Sequence, residues 1–300
     1  MYIILKIRNK EKILINTDLQ FKHLLQLLDD ENPEIQRILR FKLLENSLEI
    51  ILSGLQQVIE KDSKVSFDFK KIFHNLHNDL VFGAFSKLIN TNLEDIDLEK
   101  ATLILAYWNT PGLNIPGIIA KLDQMAEKIR INLPGEKSPE MVIHTMNSYL
   151  FEKLRFRGNS RDYYHPDNSF IDRMFISRKG IPISLSVLYI LLAKRLNFPV
   201  FGVSMPAHFI VKYDDSEIEI FFDPYFKGNI YSRNECINFL KQINISDPQV
   251  VLGGCPNYLI ILRMMRNLHL IFSSYKNDPD KVSQLERYIN LIENHFSSNI

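Results

Sequence analysis

The sequence predicts an α+β fold, mostly helical, with one small antiparallel sheet. Three observations carry that prediction. Apolar residues recur three and four apart over most of the 300 residues, the period of amphipathic helices. Between Val200 and Phe222 the pattern changes to short strand-like runs bounded by Pro and Asp. The clustered Gly, Pro, His, Asp and Tyr lie between Phe156 and Tyr225, with helical patterning on both sides.

Composition narrows the function classes. A hydrophobic fraction of 46% with 24% charged residues is that of an ordinary globular protein. A net charge of +1 argues against the broad basic surface that nucleic acid requires, so no nucleic-acid partner is expected. The two cysteines, Cys236 and Cys255, form neither metal-ligand spacing nor a disulfide framework, so a reducing cytoplasm is expected, with no metal and no cofactor. The apolar run in MYIILKIRNK is too short for a signal peptide. The run from Ile183 to Ala193 falls far short of the ~20 residues of a membrane span, so no membrane association is expected. No feature sets an oligomeric state.

In chain order, residues 1–18 alternate apolar and charged, a weak signal for a strand pair. Helical periodicity begins at Leu19, and Asn32 with Pro33 marks a second helix start. Helices are expected at about 47–60, 68–90 and 97–109, the last capped by Asp97, and from Pro116 to about Leu133. The paired helices between 19 and 60 read as an irregular helical layer, since two units are too few for a solenoid. LPGEKSP, 133–139, is the candidate linker, and Ser138-Pro139 opens a helix running to about Leu154.

The central stretch starts as an irregular loop, GNSRDYYHPDNSF, whose length points to function or to tight internal packing. Ile171 to Ser177 is expected as a helical turn. A helix from Pro182 to about Leu196 is apolar nearly all round and therefore buried. Strands follow at Val200–Ser204, Phe209–Tyr213 and Glu217–Phe222, the last two as an antiparallel hairpin about Asp214-Asp215-Ser216. Ser232 and Glu235 have capping-box spacing for a helix to about Ile243. SDPQVVLGGCPN reads as a loop. Helices from Tyr258 to Tyr275 and from Pro279 to about Phe296, the second capped by Asp278, resemble one tetratricopeptide-like unit. Three regions result: a helical 1–137, a core 138–250 and a helix pair 251–300.

The chemistry centres on His208 and Asp223, fifteen residues apart at the start of one expected strand and the end of the next. An antiparallel hairpin makes those ends neighbours. A carboxylate beside an imidazole fixes its tautomer and stabilises its charged form. The N-terminus of the helix at Pro182 is where a nucleophilic Cys would gain a lowered pKa. Asn159, Asp162, Tyr163, Tyr164, His165 and Asn168 are candidates to line a cleft, or to tie down their own loop. A metal site from His165, His208 and Asp223 has no supporting spacing.

On FRGN (156–159), DYYHPDNSF (162–170), RKGIPISLS (178–186), PAHF (206–209) and FDPY (222–225), the chain resembles the SirB family of the transglutaminase-like superfamily. RMMRNL (263–268) supports the resemblance in the tail. The resemblance implies a papain-like core with a tetratricopeptide-like tail, in a bacterial protein. Catalytic superfamily members carry Gly-x-Cys where this chain has Gly180-Ile181-Pro182, so Pro182 stands in place of the nucleophile. Ala207 stands where the family usually has Gly, and His165 where it has Asp. The expectation is a pseudoenzyme that binds a protein or peptide partner. The alternative is a hydrolase or acyl-transferase of the peptidase or amidase kind. It would pair His208 and Asp223 with a displaced nucleophile, Ser184 or Cys255, or with an activated water. Ser184 lies about 200° around the helix from Pro182. Cys236 is expected as a small buried apolar residue.

Overall fold

The computed structural model describes residues 67–91, 95–135 and 138–297. The strand pair expected at 1–18 and the helices expected at 19–60 lie outside the described residues. The described chain falls into two compact units, one containing 67–85 and 107–114, the other 86–91, 95–106, 115–135 and 138–297.

Helix α1 (Phe67–Thr91) and helix α2 (Leu98–Asn109) each contribute to both units. In the first unit His77 is buried, with Nε2 3.2 Å from the Trp108 carbonyl oxygen and its ring 5.2 Å from that of Tyr107. Burial pulls its pKa down to about 4, against the opposing pull of the Trp108 carbonyl.

The second unit is built around a sheet and one buried helix. Asp97 caps α2 as its sequence position predicts, accepting the Lys100 N–H at 3.0 Å. Helix α3 (Ile115–Ile131) turns Leu122, Met125, Ala126 and Ile129 inward. Helix α4 (Pro139–Asn147) is capped by Ser138 with Pro139 at its first position. The α-helix expected to reach Leu154 ends earlier. Ser148–Lys153 forms a wider π-turn, which releases the chain so that Phe156 enters the core, 0% exposed.

The long loop is more regular than its composition indicates. Strand β1 (Arg157–Gly158) pairs in parallel with β2 (Lys179–Gly180), on either side of a 3₁₀ turn at Pro166–Ser169 and helix α5 (Ile171–Ser177). Helix α6 (Pro182–Arg195) is buried at every position from Pro182 to Ala193. Burying one such Leu or Ile is worth about 1.5–3 kcal/mol, so this helix supplies much of the core. Its end is clamped by Arg195, whose guanidinium reaches Glu99 at 2.5 and 2.8 Å and Asp123 at 2.7 Å.

Strands β3 (Val200–Val203), β4 (Ile210–Asp214), β5 (Glu219–Asp223) and β6 (Asn229–Tyr231) form an antiparallel sheet in that order. Three of the four are expected from the sequence. β6 has three residues, too few for an alternation to register. Tyr189 from α6 packs edge-on against Phe222, with ring centroids 4.9 Å apart. Helix α7 (Arg233–Gln242) carries the expected capping box. The stretch expected as a loop holds a short helix, α8 (Pro248–Leu252), started by Asp247, whose carboxylate accepts the Gln249 N–H.

Helix α9 (Asn257–Leu270) and helix α10 (Pro279–Ser297) close the chain as an antiparallel pair. α9 ends before Tyr275 because Ile271–Lys276 widens into a second π-turn that buries Ile271 and Phe272. The pair is bonded at Arg266–Glu293, 2.6 Å, and His269–Glu286, 3.2 Å. Among the described residues no helix is long and apolar enough to cross a membrane.

Candidate functional site

The β4–β5 register brings the site together. Val211 pairs with Phe222, so the chain entering β4 faces the chain leaving β5. His208 lies just before β4 and Asp223 ends β5, and His208 Nε2 sits 2.5 Å from Asp223 Oδ2. Asp223 is 1% exposed and His208 a quarter exposed. The other carboxylate oxygen, Oδ1, accepts the backbone N–H groups of Tyr225 at 2.8 Å and Phe226 at 3.4 Å. One carboxylate therefore orients the imidazole and caps the Pro224–Phe226 turn that follows it. Tyr225 and Phe226 flank the imidazole, with ring centroids 6.2 and 5.9 Å away.

The FRGN, PAHF and FDPY segments meet here. The Tyr225 ring lies over Gly158, where an added Cβ would come within 2.4 Å of it. Only glycine leaves room for that ring. Ala207 has φ 58°, a left-handed conformation. That geometry is the physical reason a glycine suits this position.

Two cavities border His208. The smaller, about 260 Å³, is lined by Pro182, Tyr163 and Tyr164 and by Arg263 and Asn267 of α9. Among the described residues no Ser, Thr or Cys lines it. Pro182 thus shares a cavity with the imidazole. The second cavity, about 470 Å³, borders both His208 and Asp223 and is walled by Met205, Ile210, Tyr231 and Cys236.

The remaining sequence candidates sit elsewhere. Asn159 and Asn168 are buried and bond each other at 2.9 Å, and Asn168 Nδ2 also donates to the carbonyls of Asp162 and Tyr163. Asn159 Oδ1 accepts the Asp162 N–H, and His165 Nδ1 accepts the Asp167 N–H. Asn159, Asp162, His165 and Asn168 hold their own loop and line neither cavity. Ser184 Oγ donates to the Asn168 carbonyl at 2.6 Å and accepts the Ile181 N–H at 3.0 Å, in the first turn of α6. It is 3% exposed and likewise borders neither cavity. Cys255 joins the β3 edge of the sheet, its N–H donating to the Gly202 carbonyl at 2.9 Å, and burial pushes its thiol up to about 12. Burial pushes the Cys236 thiol up to about 11. Among the described residues no three His, Cys, Asp or Glu side chains group as metal ligands.

Two residues join the site with no signal in sequence spacing. Cys236, expected as a small buried apolar residue, borders one cavity with His208. Arg263 contacts the site from α9, fifty-five residues from His208, and only the RMMRNL motif marked it.

A buried helix opening on a cavity, followed by antiparallel strands that deliver a His and then an Asp, defines a papain-like class of α+β core. The sequence comparisons agree: the family described as "Transglutaminase-like superfamily" matches residues 117–266, half of the chain. The chain belongs to the transglutaminase-like superfamily. It is 27% identical over 221 residues to a UPF0162 protein of Xylella fastidiosa, covering 72% of this chain and 79% of that one. A UPF0162 protein of Vibrio cholerae is 26% identical over 148 residues, 49% of this chain and 54% of the relative. Human F-box only protein 21 is 29% identical over 193 residues, 60% of this chain and 29% of the human protein. No solved structure matches.

Proposed function

We propose that this chain is a non-catalytic member of the superfamily, of the SirB kind with a tetratricopeptide-like tail, which binds a protein or peptide partner in the cleft beside His208. The observation that carries the reading is Pro182. It faces the cavity of the paired His208 and has no atom that attacks a carbonyl. The pair then serves recognition and the sheet end rather than acyl transfer. Two free cysteines, one buried and one half-buried, suit a reducing cytoplasm.

The test is turnover. Purified protein offered peptide amides, esters and acyl acceptors should release no product, and peptide ligands should shift the His208 imidazole resonances. Hydrolysis or acyl transfer that vanishes with His208→Ala contradicts the reading.

One observation favours a second reading, a hydrolase or acyl-transferase with a displaced nucleophile or an activated water. Cys236 borders the same cavity as His208 and Asp223. Against it, burial holds that thiol protonated near neutral pH, and thiolate is the attacking species. Turnover abolished by Cys236→Ser and blocked by iodoacetamide would select this reading. Turnover that survives Cys236→Ser and fails with His208→Ala would select the water.

A further inference from the structure

The smaller cavity holds a charge that the His208–Asp223 pair does not use. Arg263 enters from α9, and Nη1 donates to Ser204 Oγ and the Met205 carbonyl, both at 2.7 Å. Nη2 donates to the His208 carbonyl at 2.9 Å, and the guanidinium lies over the Phe209 ring at 5.6 Å. All three acceptors are neutral. They use three of the five N–H groups, leaving one on Nε and one on Nη2. Among the described residues no carboxylate pairs with Arg263. A guanidinium drawn out of water without a counter-ion is costly, and burial weighs against its charge.

The surroundings suit an anion. Asn267, one helical turn along the same face, lines the cavity, and its side-chain amide has no protein partner among the described residues. The Tyr163 phenol lies close enough to feel the guanidinium charge. At about 260 Å³ the space is smaller than the ~300–1,000 Å³ of whole small-molecule sites, so it fits the end of a chain. Pro182 and Ile271 supply an apolar wall beside the polar groups.

We infer that this cavity receives the C-terminal carboxylate of a peptide or protein partner, with Arg263 and Asn267 holding the carboxylate and the last side chain packed against Pro182 and Ile271. The inference rests on the proposal that the cleft binds a partner rather than turning over a substrate. Arg–carboxylate recognition is strong because two parallel N–H donors meet two oxygens.

The experiment selects peptides against the full chain from two display libraries, one with free C-termini and one with internal segments. Selected sequences are then synthesised as the free acid, as the C-terminal amide, and as an amide ending in glutamate. The expected result is free-acid peptides that shift His208 resonances and bind about tenfold more tightly than their amides. Arg263→Lys should erase that preference. Asn267→Leu, which leaves the Arg263 contacts to Ser204 and His208 in place, should weaken the free acids at unchanged thermal stability. Peptides that bind at His208 equally as acid and amide overturn the carboxylate inference and leave the cleft reading standing. A glutamate amide as good as the free acid overturns the C-terminal assignment in favour of a side-chain carboxylate. No peptide from either library moving His208 overturns the cleft reading and the inference with it.

Discussion

Asp223 joins the chemistry of the site to its folding. Its buried carboxylate bonds one imidazole and two backbone N–H groups at once. Asp223→Ala leaves those donors unpaired in a buried place and should cost about 2–4 kcal/mol in urea unfolding. Asp223→Asn keeps an acceptor for the turn and should lose less. An equal loss in both would mean that the charge, not the cap, supplies the stability. Ala207 offers a second single-residue test. Its left-handed φ costs about 1–2 kcal/mol, which Ala207→Gly relieves against a similar entropic gain of the unfolded chain. The net change should lie within about 1 kcal/mol of zero, whereas a β-branched Ala207→Val should destabilise by more than about 1 kcal/mol. Comparable midpoints for Gly and Val would contradict the strained-turn account.

Among the elements, the first turn of α6 is organised by Ser184, whose hydroxyl is spent between the Ile181 N–H and the Asn168 carbonyl. Ser184→Ala should destabilise by about 1–2 kcal/mol through the lost cap and leave peptide binding at His208 unchanged in the surviving folded protein. A loss of turnover with no loss of stability would instead make Ser184 a nucleophile. The contact between Gly158 in β1 and Tyr225 after β5 ties the two halves of the site. Gly158→Ala forces overlap with the ring and should cost about 1–3 kcal/mol. Adding Tyr225→Ala should recover part of that loss in a double-mutant cycle, because the clash needs both side chains.

At the scale of the whole molecule, His77 gives the pH dependence. Its folded-state pKa lies near 4, below its ordinary value of 6.5. The unfolded chain takes the proton more readily, so this contribution is complete above about pH 6.5 and is lost as pH falls through about 4. The shift corresponds to about 3–4 kcal/mol at most. Unfolding free energy measured from pH 7 to 4 should decline, and His77→Phe should flatten the slope. An unchanged slope would place the proton elsewhere. The helices with strong caps, at Asp97, Ser138, Ser232 and Asp278, were legible because a cap is local chemistry. The His208–Asp223 pair was legible because a hairpin converts a short separation in sequence into contact. Arg263 and Cys236 approach the site through packing of distant helices, which no spacing records. β6 is too short to alternate, and the π-turns after α4 and α9 keep the apolar period of the helices that they end.

The proposed function turns on Pro182 standing where a nucleophile would, beside the bonded His208 and Asp223. The direct measurement is the pH dependence of alkylation of the Pro182→Cys variant by iodoacetamide. The background is low, since burial holds the native thiols at about 11 and about 12. A thiol at the start of α6 and facing His208 should ionise well below the ordinary value of about 8.5 and react rapidly near pH 6. An introduced thiol that titrates at or above its ordinary value would show that position 182 does not address the imidazole, and the account of the site would fail.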